Sequence, residues 1–420
     1  MKKSDRGKNV PYVRPVRRVE LSDMDVKIRM ILIVVFLSIA VVAMVAGFRS
    51  VLRVEPGWQE ITVKAERPNC GDDFALNYDF SAAGSSATSQ FKTLTALYSA
   101  ACEDAFRIFS PDVEGSGTAN VHDLNRHPNE TVTLEPVLYD ALSLFVQSGN
   151  RHIYLGNVYA EYERIFYSEN EVEAASFDPA QNPEQAEYIA ELAAFANDPA
   201  MIDLQLLGDN QVKLLVSDAY LAFAQMYELE NLVDFGWMRN AFIADYLAQT
   251  LMDHGFTNGY LASFDGFTRN LDTRGNSYSF NVFDRRADGI YMPAVLTYTA
   301  PASIVFLRDY PMGRSDAWHY YTFGNGRIVS LLIDPADGIN KVSVDSLVSY
   351  SQAHSCAELL LNMMPVFVGD TFDAAPLQNL AEGGIHSIWC EDTTVCYTDE
   401  HIDLALVPQE NAPYTKVFAG

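Results

Sequence analysis

Apolar residues recur at helical spacing over 89–109, at Phe91, Leu94, Leu97, Tyr98, Ala101, Ala105 and Phe106. The pattern predicts an amphipathic helix that stops at Ser110-Pro111, because proline cannot continue it. Residues 135–147 read as a second helix with Pro136 suited to its first turn, and 183–196 as a third with an acidic outer face. Residues 212–216 are strand-like. Residues 237–254 predict a helix, apolar at Phe242, Ile243, Tyr246, Leu247 and Leu251 and closed by Gly255. From Gly259 the texture changes to short β-branched and aromatic runs separated by Asp-Gly and Asn-Gly turns, such as 278–283, 319–323, 327–333 and 341–350. One buried helix, 355–365, interrupts them. Helices first and strands later predict an α+β fold rather than a regular βαβ alternation.

A different pattern stands near the start. Residues 30–48, MILIVVFLSIAVVAMVAGF, carry no formal charge. As a helix they would reach roughly 28 Å at 1.5 Å per residue, about the thickness of a bilayer's hydrocarbon. Nine Lys/Arg and four acids precede them, a bias that places residues 1–29 in the cytoplasm and the rest outside. The basic leader is long for a cleaved signal peptide and no A-x-A site follows, so an uncleaved signal anchor is the reading. The expected organisation is therefore a cytoplasmic 1–29, an anchor 30–48, a polar linker 49–74 and an extracytoplasmic domain 75–420.

Charge sharpens this picture. The chain of 420 residues has 29 Lys+Arg against 55 Asp+Glu, a net of −26, and residues 49–420 alone carry −31. Such a surface excludes nucleic acid as a main partner, since phosphates need a positive patch. It is also repelled by anionic lipid headgroups.

Five cysteines, Cys70, Cys102, Cys356, Cys390 and Cys396, contain no C-x-x-C. In a hairpin Cys390 and Cys396 could sit opposite each other and form a disulfide; the competing reading is two unpaired small hydrophobes. Neither His nor Cys recurs at zinc-ligand spacing. There is no G-x-S-x-G, Walker loop, G-x-G-x-x-G or H-E-x-x-H. His354 and Cys356, two apart on a helix, point to different sides and make no nucleophile–base pair. Ser85-Ser86-Ala87-Thr88 reads as a flexible small-residue link. The apolar 355–365 helix does carry a polar stripe at His354, Glu358 and Asn362. Glu358 and Asn362 offer oxygen ligands one turn apart for Mg²⁺ or Ca²⁺, or else form a solvated or backbone-paired stripe. Asp234-Phe235-Gly236 before the 237–254 helix suits either an anion contact or plain capping.

In this order the pieces resemble the FAD:protein FMN transferases, the ApbE-type flavin transferases. Ser110-Pro111-Asp112, Leu124-Asn125 and the 134–142 stretch look like the family's early turn and second helix. Its D-L-G-G-I-A-K-G-Y-x-x-D segment falls on residues 234–245, its H-I-I-D-P-x-T-G turn on 331–338, its S-V-T-V strand on 346–349 and its A-D-A-L-x-T helix on 357–362. The similarity spans roughly 75–400. It implies mixed or antiparallel sheets with flanking helices, and an anchored extracytoplasmic enzyme that uses Mg²⁺ and FAD. Such an enzyme moves FMN onto a Ser or Thr of an acceptor protein, here unknown. It further implies cofactor contacts at Asp234, Gly236, Arg239, Asn240 and Asp334, and metal ligands at Glu358 and Asn362. Several positions depart from the family: Trp237 and Ala241 replace glycines, Asn240 replaces the lysine, Leu331 replaces the histidine, and Glu358 and Asn362 replace Asp and Thr. A catalytically silent relative, serving as a cell-surface binding or scaffold module, is the alternative.

Overall fold

The computed structural model of the protein describes residues 54–313, 316, 319–409 and 413–420, with Met30, 34–41 and Met44 before them. Contacts divide the chain into Met1–Val54 and a compact unit Glu55–Gly420. In the first unit, 34–41 are helical. Of the expected anchor 30–48, residues 31–33, 42–43 and 45–48 lie outside the described residues, among which no helix is long and apolar enough to cross a membrane.

The second unit is built on a nine-stranded sheet whose strands follow one another across the sheet in chain order. They are Trp58–Ile61, Phe74–Asp79, Gly259–Ser263, Phe267–Asn270, Ala302–Arg308, Ser346–Ser351, His386–Glu391, Thr394–Tyr397 and Thr415–Phe418. Neighbours are antiparallel except the last pair, which is parallel. Trp58–Ile61 lies within the stretch expected to be a linker. Its four residues pair with Leu76–Asp79, so the compact unit begins earlier than the sequence suggests.

Both faces of the middle of this sheet are covered. Side chains alternate along a strand, and Val305, Leu307 and Leu347 join the larger core while Ile304, Phe306, Val348 and Tyr350 join a second one. The larger core draws on all five helices the periodicity predicted: Ala87–Phe109, Pro136–Ser148, Pro183–Asn197, Arg239–Asp253 and Cys356–Phe367. The second lies under a three-stranded sheet of Ser277–Arg286, Gly289–Thr299 and Asp403–Leu406. Between the second and third strands of the main sheet comes a mostly helical insertion. It contains Pro136–Ser148, Gly156–Phe166, Pro183–Asn197 and Asp218–Tyr227, plus a small sheet of Thr131–Thr133, Gln211–Val216 and Ile202–Gly208.

The hairpin at Cys390 and Cys396 forms, but it does not bring the thiols together. Cys390 faces Val395, and Cys396 faces Trp389. The pleat therefore sends them to opposite faces: Cys390 enters the second core and Cys396 the larger one. A one-residue offset excludes the bridge.

Three expected strands are shorter than their runs. Of 319–323 only Tyr321–Thr322 is strand; of 327–333 only Ile328–Val329, with Ile333 making an isolated bridge to Asn340; and Lys341–Asp345 precedes the strand Ser346–Ser351 rather than extending it. Past Val329 the chain leaves the ladder. The Asn340 amide replaces strand bonds there, donating to Ser330 Oγ (3.0 Å) and to the Leu332 carbonyl (2.9 Å).

Candidate functional site

The turn before the Arg239–Asp253 helix organises the site. Asp234 accepts the Gly236 N–H at 2.9 Å, and Gly236 takes φ +50. A side chain at Gly236 would meet the Tyr159 ring at 2.7 Å, so the position suits glycine twice over. Phe235 is locked between Phe109, Phe145 and Phe242, at centroid distances of 5.2, 5.7 and 4.9 Å. A short 3₁₀ turn, Gly236–Met238, then carries Trp237 to the helix.

Trp237 enters a slot also lined by Asp265, Arg308, His319, Tyr320 and Leu331. The segment 234–245 and the run before Asp334 both contribute to this slot, through Trp237 and through Ser330, Leu331 and Leu332. The slot holds only about 40 Å³, room for a few waters at roughly 10–15 Å³ each. Asn240 is 6% exposed, and its amide donates to Asp265 Oδ2 at 2.9 Å. Among the described residues, Asn240 Oδ1, Asp265 Oδ1 and Arg308 Nε are buried with no hydrogen-bond partner.

Sequence reasoning missed the charged groups around this slot. Arg308 pairs with Asp316 and donates to the Phe264 carbonyl at 2.9 Å. Burial pushes the Asp265 carboxyl up against the pull of Ser263, Asn240 and Arg308. Burial likewise raises Asp73, while Arg239 pulls it back. Burial lowers His319 to about 4, so its imidazole is neutral near pH 7. These residues come from separate turns, loops and a strand end, and share no local motif. Only the fold gathers them.

The other predicted residues lie elsewhere. Arg239 is half-buried, and its charge also favours ionisation of Asp234, which burial opposes more strongly. Asp334 sits in its turn, with Oδ1 accepting the Ala336 N–H at 2.9 Å and Oδ2 facing Lys341 at 3.2 Å. Lys341 also pairs with Asp337 at 2.7 Å. Glu358 closes a capping box, accepting the Ser355 N–H at 2.8 Å while Ser355 Oγ accepts its own N–H at 3.2 Å. Exposed Asn362 donates to the Glu358 carbonyl at 2.8 Å. The helix N-terminus is taken by Asp245, which accepts the N–H groups of Cys356 (3.0 Å) and Ala357 (2.8 Å) and pairs with Arg269 at 3.0 Å. Asp245 and Arg269 line a cavity of about 450 Å³. Among the described residues no three His, Cys, Asp or Glu side chains are placed to hold a metal ion.

No family model matches this sequence, and no curated protein does. Solved structures do. The ApbE protein of Thermotoga maritima superposes with a TM-score of 0.55 at 14% identity, covering 79% of this chain and 94% of that one. The flavin transferase ApbE of Vibrio cholerae gives 0.51 at 14% identity, covering 84% and 97%. The flavinyl transferase ApbE of Pseudomonas stutzeri gives 0.50 at 12%, covering 84% and 94%. The fold class is thus α+β with mixed sheets. Within that class the chain has the fold of the ApbE flavin transferases.

The residues present do not cradle a flavin as they stand. The slot walled by Trp237 and Leu331 holds only about 40 Å³, Asn240 is spent on Asp265, and the Glu358 carboxylate is engaged in a cap.

Proposed function

We propose that this is a flavin-transferase-type protein, held at the outer face of a membrane by residues 30–48, whose working part is the slot around Trp237. The observation that supports this reading is the meeting of the 234–245 segment and the run before Asp334 at one slot, in a fold shared with flavin transferases. The finer form is Mg²⁺-dependent transfer of FMN from FAD to a Ser or Thr of an acceptor protein. In that form the carboxylates of Asp234, Asp334 and Glu358 would have to leave their present bonds, and Arg239 and the Asn362 oxygen to turn, toward the nucleotide and metal.

A second reading starts from the size of the slot. With only about 40 Å³ between Trp237, Leu331 and their neighbours, the domain would serve as a cell-surface binding or scaffold module and transfer nothing. One experiment separates the two: titrate FAD into the 55–420 unit with and without Mg²⁺, following flavin fluorescence. Metal-dependent binding that is lost in Glu358→Ala supports transfer. Binding gained only in Trp237→Gly supports the second reading. A folded protein that binds in neither form removes flavin from both.

A further inference from the structure

A cleft of about 580 Å³ opens at the far end of the strand Phe74–Asp79. It is lined by Trp58, Asn77, Asp79, Tyr260, Arg274 and Tyr278, among others. Six residues separate Asp73, beside the Trp237 slot, from Asp79. At about 3.3 Å per residue the two places are about 20 Å apart.

The cleft combines apolar faces with fixed planar polar groups. Trp58, half exposed at 48%, lies 5.9 Å from Tyr260 and 6.3 Å from Tyr278, and the two tyrosines are 6.4 Å apart. Interplanar angles of 47°, 88° and 73° give three rings steeply inclined to one another rather than one flat stack. Beneath them Asp272, 0% exposed, organises the polar side. It accepts Arg274 Nε (2.8 Å) and Nη2 (2.9 Å), the Asn276 amide (2.8 Å) and the Tyr278 hydroxyl (2.6 Å). Asp79 accepts the remaining arm of Arg274 at 2.7 Å. Burial pushes the Asp272 carboxyl up, but these donors outweigh it and hold it well below the usual range.

One buried carboxylate therefore fixes a guanidinium, an amide and a phenol on the wall of an open cleft. Side chains held in this way lose little freedom when a ligand arrives. The local charge is one guanidinium against two carboxylates, on a strongly acidic domain, so anionic ligands are repelled. Arg274 in the wall also disfavours a quaternary ammonium among the rings. A neutral ligand with an apolar face and a rim of hydroxyls meets both halves of the wall.

From this the geometry points to a carbohydrate-binding site at Trp58, Tyr260 and Tyr278, taking a neutral oligosaccharide whose rings pack on the aromatics while its hydroxyls bond Asn77, Asn276 and Arg274. The site is independent of the Trp237 slot, and so is its test. Full-length protein in a non-glycosidic detergent is titrated with cellotetraose and with chitotetraose, by calorimetry and indole fluorescence. Saturable binding of either, with a Kd of roughly 1 mM or tighter, is expected. Trp58→Ala should weaken it at least about ten-fold and Asn276→Ala measurably, with circular dichroism unchanged. Absence of binding of both sugars up to roughly 10 mM overturns the proposal. So does undiminished affinity in a folded Trp58→Ala protein.

Discussion

Asp309 makes an ion pair with Arg285 at 3.4 Å, yet removing its charge should stabilise the protein. Its side chain is 19% exposed and that of Arg285 31%. Burial raises the Asp309 carboxyl to about 6; Arg285 opposes the rise and Asp345 adds to it. In the unfolded chain an aspartate titrates near 3.9. Below pH 4 the group is neutral in both states and costs nothing. Between about pH 4 and 6 the unfolded chain gives up its proton while the folded one keeps it, so stability falls as pH rises. Above 6 the loss is complete. A gap of about two pH units, which already includes the pull of Arg285, corresponds to about 3 kcal/mol. Asp309→Asn removes the titration. Relative to the parent, urea unfolding of the 55–420 unit should show the variant gaining about 2–3 kcal/mol between pH 4 and pH 7, with an unchanged slope in urea. A variant that loses stability at pH 7 while matching the parent at pH 4 would show that the ion pair outweighs burial, and would refute the reasoning.

Glu358→Ala should cost about 1 kcal/mol through the lost cap whether or not Mg²⁺ is present, and thermal melts with and without the metal check it. Stabilisation of the parent alone by Mg²⁺ would show instead that the carboxylate leaves its cap for a cation. Gly236→Ala meets both a φ of +50 and the Tyr159 ring, so its denaturation midpoint should fall by the equivalent of about 2–4 kcal/mol. Cys390 and Cys396 should both alkylate after denaturation without reductant, even in protein exposed to an oxidant while folded. A peptide map joining them would contradict the register Cys390 to Val395.

The five helices read from the sequence were legible because each couples an apolar period with an unambiguous stop or start. Examples are Pro111 after Phe109, Pro136 and Pro183 in first turns, and Gly255 after the Arg239–Asp253 helix. Trp58–Ile61 was hidden because four mixed residues look like linker until Phe74–Asp79 supplies a partner. The run through Leu331 and Leu332 looked like strand because apolar lining of a slot and apolar facing of a sheet leave the same trace. For Glu358 a signal was present: Ser355-Cys356-Ala357-Glu358 is a capping-box pattern, which weighs toward the cap it forms. Asp73, Asp265, Arg308 and His319 left no such signal, since segments distant along the chain converge on the slot and spacing says nothing of it.

Because the nine strands lie across the sheet in chain order, the sheet can be assembled by growth at one margin. Synthesis runs from the N-terminus, so every strand appears after the neighbour it needs and none must wait for one still unmade. The interruption is the helical insertion between Asp79 and Gly259, which must close on itself before the third strand can reach the second. A nascent chain halted after Ser351 already holds six strands in register. One halted before Gly259 holds a lone hairpin, too small to persist without the helices that share its core.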